Sequence, residues 1–66
     1  KDYWVSLGDT YLQLQRLKDA IAPYEKAVAL DDSDLNVWRN LADLYHNHSM
    51  PDKAAAADKK VAELSK

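Results

Sequence analysis

Among the 66 residues of this chain, those whose types could do chemistry are Asp9 and Asp43, the serines Ser6, Ser33, Ser49 and Ser65, and the pair His46 and His48. Two carboxylates invite an acid/base reading. Equivalent positions on neighbouring packed helices, however, stand on the order of 10 Å apart. Paired carboxylates for glycoside hydrolysis sit at roughly 5 to 9.5 Å around an enclosed site. The serines have no recognisable base and orienting acid in company, and there is no glycine-rich phosphate loop. His46 and His48 share a helix end with Asp43, and residues three apart lie on one helix face. Three ligands would crowd that end, and histidines there suit the negative end of the helix dipole. The expectation is a protein without catalysis, cofactor or metal.

Composition points the same way. The net charge is -2 and the pI is near 5.5, with nine Lys and Arg interspersed among eleven Asp and Glu. A nucleic-acid partner needs a basic stripe; without one, Tyr3, Tyr11 and Tyr45 are expected in the core rather than stacking on bases. Lys53, Lys59, Lys60 and Lys66 crowd the last segment but are diluted by Asp52, Asp58 and Glu63, which reads as a solvated helix face. No cysteine is present, which removes disulfides and thiolate metal sites. Neither a secretory signal nor an apolar run of membrane-spanning length occurs, so no direct membrane contact is expected.

The elements that must position these residues repeat. Trp4 and Trp38 stand 34 residues apart, and at the same offset Leu7 pairs with Leu41, Asp9 with Asp43, Tyr11 with Tyr45, Ala20 with Ala54 and Leu30 with Leu64. A first helix runs from Asp2 to about Leu14, with Trp4, Leu7, Tyr11 and Leu14 at three-and-four spacing and Gly8 on the same side. Gln15, Arg16 and Leu17 make a short turn. A second helix follows, its apolar side given by Ala20, Ile21, Tyr24, Ala27, Val28 and Leu30. Pro23 either bends its first turns or marks a helix that begins near Asp19. Asp31, Asp32, Ser33 and Asp34 break the chain, and Ser33 or Asp34 can cap the third helix. That helix runs from about Leu35 to Asn47, with Val37, Trp38, Leu41, Ala42, Leu44 and Tyr45 apolar. Ser49 can cap the fourth, with Pro51 in its first turn, and the helix extends to about Leu64. Four helices and no strand signal make an all-α protein.

The run Trp4, Leu7, Gly8, Tyr11, Ala20, Tyr24, Ala27 resembles the tetratricopeptide repeat pattern W-x2-L-G-x2-Y, then A, an aromatic, and A. The second copy keeps Trp38, Leu41, Ala42, Tyr45 and Ala54 but departs at Asp58, where the family has an aromatic, and at Val61, where it has alanine. Asp32 stands where the family commonly has proline. The resemblance implies a right-handed α-solenoid segment of two antiparallel hairpins, with repeat one at 1–34 and repeat two at 35–66, in one domain cut from a longer protein. Gly8, Ala42, Ala20 and Ala54 would let helices approach closely, and Trp4, Tyr11 and Tyr24 would fill the space between them. Asp58 suits an end cap, because terminal repeats must be polar outside. A degenerate repeat is the alternative.

In this family the first helix of each hairpin lines a concave groove that holds a peptide or a partner's helix. By position those residues are Asp2, Val5, Ser6, Asp9, Leu12 and Gln13, then Asn36, Arg39, Asn40, Asp43, His46 and Asn47. Helical periodicity independently leaves most of them off the apolar stripe. Val5 and Asp9 stand where some relatives place the lysine and asparagine that clamp a C-terminal carboxylate, and only Asn40 fits that clamp. A partner carrying a basic residue or backbone amides is expected instead, meeting Asp9 and Asp43; the alternative is that both are solvated surface charges. The functional expectation is a protein-interaction module for a protein or peptide partner, with no nucleic acid. The other reading is a structural or self-associating scaffold unit, as a homodimer or with further repeats in the parent chain, since stacked repeats generally need about three units.

Overall fold

In the computed structural model, which describes residues 2–66, the chain forms α1 (Asp2–Gln13), α2 (Leu17–Leu30), α3 (Leu35–Asn47) and α4 (Pro51–Leu64). The helix α2 packs on α1, α4 packs on α3, and α2 also packs on α3. Helices α2 and α3 therefore form the seam between the two hairpins.

Both hairpin turns are made in the same way. At the end of α1 the Arg16 N–H reaches the Tyr11 carbonyl (2.9 Å) and the Gln15 N–H the Leu12 carbonyl (3.0 Å), while Gln15 has φ 59°. At the end of α3 the Met50 N–H reaches Tyr45 (2.9 Å) and the Ser49 N–H reaches His46 (3.5 Å), with Ser49 at φ 56°. These are Schellman terminations, in which one left-handed residue lets two amides fold back onto carbonyls that have run out of helical partners. The left-handed residue is usually glycine; here it is Gln15 and Ser49, which are themselves 34 positions apart.

Three expectations are corrected by this arrangement. Ser49 does not cap α4: its backbone is used to end α3, and Met50 takes the cap position without a side-chain hydrogen bond, followed by Pro51 at the start of the helix. Leu17 is not in the turn but begins α2, so Pro23 lies well inside the helix rather than in its first turn. Leu14 falls past the end of α1 and is exposed, as is Leu30 on the last residue of α2. Between the hairpins, Asp34 caps α3, its Oδ1 accepting from the N–H groups of Asn36 (3.0 Å) and Val37 (3.4 Å). Ser33 turns the other way and donates both its N–H and its hydroxyl to Asp31.

The core is centred on α2 and α3. Ala20, Ile21, Tyr24 and Ala27 from α2 meet Val37, Leu41, Ala42, Leu44 and Tyr45 from α3, and Ala54 and Ala57 close it from α4. From α1 only Gly8 is fully buried, with Trp4, Val5, Tyr11 and Leu12 packed half-buried against the cluster. Tyr3, expected inside, is 68% exposed and sets its ring edge-on to Trp4 at 5.0 Å. An ideal Cβ on Gly8 would lie 2.7 Å from Cε1 of Tyr24. The glycine is thus required by the ring that crosses it.

Candidate functional site

The groove positions sit on α1 and α3. Asp2, Ser6, Asp9, Gln13, Asn36, Arg39, Asp43, His46 and Asn47 are exposed, and Val5, Leu12 and Asn40 are half-buried. Val5 and Leu12 turn partly inward and pack against the core, so the exposed part of this surface is polar. The backbone carbonyl of Ser6 accepts the Thr10 hydroxyl at 2.9 Å.

Asp9 and Asn40 are brought together through Tyr24. The Tyr24 hydroxyl donates to Asp9 Oδ1 and accepts from Asn40 Nδ2 at 3.4 Å. One phenol on α2 thereby links α1 to α3 beneath the polar face. Burial pushes the Tyr24 pKa up, the hydrogen bond and charge of Asp9 add to that, and the Asn40 amide works the other way. Asp9 is therefore neither a lone solvated carboxylate nor wholly free for a partner. Asp43, its equivalent in the second hairpin, is exposed and has Asp58 rather than a tyrosine at the corresponding place on α4.

Asp58 does face solvent, and it accepts from or pairs with His46 Nε2 at 2.8 Å. His48 turns its Nδ1 to the Leu44 carbonyl at 2.8 Å. The two histidines thus serve different partners, and among the described residues no group of three His, Cys, Asp or Glu side chains could hold a metal ion.

A second polar cluster escaped the sequence reading. The Tyr45 hydroxyl donates to Glu25 Oε2 at 2.6 Å, Lys53 Nζ stands 3.4 Å from the same oxygen and 5.9 Å from the Tyr45 ring centre. Burial raises the Tyr45 pKa, and the hydrogen bond and charge of Glu25 raise it further. Lys60 Nζ lies 3.4 Å from Asp32 Oδ2, and the Trp38 indole donates to the Asp32 carbonyl at 2.8 Å. Lys53 accordingly reaches from α4 to α2, and Lys60 to the loop that follows α2, so these two lysines are not merely solvated. Glu25 and Tyr45 are separated by 20 residues, so nothing in local spacing announces their contact.

Two antiparallel helical hairpins stacked through the contact of α2 with α3 define the class of α-solenoid repeat proteins. The chain belongs to the tetratricopeptide repeat family, whose model, described as TPR repeat, matches residues 8–49. No curated protein matches it. Members of the family generally act as protein–protein interaction modules and are typically non-catalytic. Among the described residues no helix is long and apolar enough to cross a membrane.

Proposed function

We propose that the polar face of α1 and α3 binds an extended peptide or a partner helix, making the chain a non-catalytic recognition module. The observation that carries this reading is the Tyr24 bridge. A hydroxyl bonded to both Asp9 and Asn40 holds the two helices that bear the candidate groove in one arrangement, and a preorganised surface loses less entropy on binding. Asp2, Asp9 and Asp43 outnumber the fixed cation Arg39 on this face, which favours a ligand with a basic side chain or unpaired backbone amides.

Because Asp9 is part of the Tyr24 network, a charge reversal there would damage the fold as well as the surface. Asp43 and Arg39 are the cleaner targets. Displayed random peptides should be selected on the parent chain and then measured against Asp43→Lys and Arg39→Glu variants checked for equal helicity. Basic peptides should weaken at least about tenfold on Asp43→Lys. Peptides that bind parent and both variants equally would place recognition elsewhere and move the scaffold reading ahead.

A further inference from the structure

Asp9 and Asp43 are equivalent in the repeat, yet they differ in what they have left to offer a ligand. Asp9 accepts the Tyr24 hydroxyl on Oδ1. Burial of the phenol, with the bond and charge of Asp9 added, keeps the proton on the tyrosine oxygen. That bond therefore takes up Oδ1, while Oδ2 accepts no hydrogen bond among the described residues. Asp43 is exposed, and neither of its oxygens is engaged among the described residues. Asp58 stands at the place equivalent to Tyr24 and pairs with His46 instead.

Their surroundings differ as well. One turn before and one turn after Asp9 stand Val5 and Leu12, half-buried and packed against the core. At the same offsets from Asp43 stand Arg39 and His46, both exposed. Lysine and arginine ask different things of such sites. An arginine fork makes two parallel N–H···O bonds and needs both carboxylate oxygens open to it. A lysine ammonium is a point charge that one oxygen satisfies, with water on its remaining protons. Its flexible stem also gains from apolar neighbours.

We infer, resting on the peptide-binding function proposed above, that the groove tells the two cations apart. A ligand lysine lies along Val5 and Leu12 and reaches Oδ2 of Asp9, and a ligand arginine forks onto both oxygens of Asp43. Tyr24 is the positioning residue of the first site, because its hydroxyl closes Asp9 to the fork. Arg39 has no carboxylate partner among the described residues. Its charge opposes a ligand lysine and a ligand arginine alike, so it does not choose between them.

Peptides selected on the parent chain have their basic residues exchanged singly between lysine and arginine. Calorimetry then gives their affinities for the parent, Asp9→Asn, Asp43→Asn and Tyr24→Phe. Asp9→Asn keeps an oxygen for Tyr24, and double-mutant cycles with the two asparagine variants identify which ligand residue meets which carboxylate. The residue coupled to Asp9 should bind at least about threefold tighter as lysine, and the one coupled to Asp43 at least about threefold tighter as arginine. Tyr24→Phe, checked for equal helicity, should erase the lysine preference and leave the arginine preference in place. General loosening of the fold does not produce that split, and the discrimination measured on the parent stands as a test even where Tyr24→Phe does not fold. Coupling to one carboxylate only, equal binding of lysine and arginine at either, or loss of both preferences in Tyr24→Phe would overturn the inference while sparing the peptide-binding function. Where no basic peptide binds, or none couples to either carboxylate, that function falls and the inference falls with it.

Discussion

Tyr24 acts at both ends of its side chain: the ring excludes a Cβ at position 8 and the hydroxyl ties Asp9 to Asn40. Gly8→Ala gains roughly 1 kcal/mol in helix propensity, yet the ring it meets is buried and anchored, and such overpacking costs about 1–3 kcal/mol. Strain should win, and urea denaturation should show Gly8→Ala less stable than the parent. Tyr24→Phe removes the bridge and leaves the Asn40 amide without that acceptor, at a cost of about 1–2 kcal/mol. The same substitution carries a pH signature. Tyr24 and Tyr45 are raised above their ordinary value of 10.0 in the folded chain. The unfolded chain thus releases these protons first, so their stabilisation is complete below about pH 10 and is lost as pH climbs toward the higher folded values. Thermal melts on the alkaline side should fall with pH for the parent and fall less steeply for Tyr24→Phe. Asp58 changes meaning beside this pair. Its counterpart to Gly8 is Ala42, so a tyrosine introduced at 58 would meet a methyl group unless Ala42→Gly were made with it.

The helices themselves were largely legible because their apolar residues recur at helical spacing, and the third helix was read at its observed bounds. Their junctions were less so. Serine before a helix signals a cap, but Ser49 belongs to the end of the preceding helix, where its left-handed backbone permits the turn. Only the parallel with Gln15 distinguishes the two roles. A left-handed non-glycine residue costs about 1–2 kcal/mol. Gln15→Gly and Ser49→Gly should each raise the melting temperature, at about 4–8 °C per kcal/mol for a domain this small, and calorimetry would show it. Asp34→Ala should lower it by about 0.5–2 kcal/mol through loss of the cap. Pro23 is buried within α2, where it has no N–H to give the Asp19 carbonyl; with Trp4, Leu7 and Tyr11 it lines a surface hollow of about 300 Å³.

At the scale of the molecule, the 34-residue repeat disclosed two hairpins, and the family assignment follows from the same residues. The candidate groove residues were assigned by that likeness, and their exposure agrees with periodicity; the partnership of Asp9 with Tyr24 required the tertiary structure. The charged contacts of the seam between hairpins were hidden, since Glu25, Asp32, Lys53 and Lys60 look like surface charges until the helices are stacked. Surface pairs of this kind are worth about 0–1 kcal/mol each, so the Tyr45 and Trp38 hydrogen bonds and the apolar contact of α2 with α3 hold most of the seam. Raising salt should lower stability only slightly, whereas Trp38→Ala should abolish a cooperative melt, as loss of a large aromatic costs about 3–5 kcal/mol. A variant that melts sharply near the parent would show the hairpins to be independent.

Since α2 and α3 are each gripped from both sides, their pair is also the place where a pull would be divided. Tension applied through the two termini reaches α1 and α4 before it reaches the seam, and each outer helix can be peeled from one main neighbour while α2 and α3 must each be freed from two. Stretched in an optical trap, the chain should surrender α1 and α4 at low force and keep the α2 and α3 pair as the last element to yield.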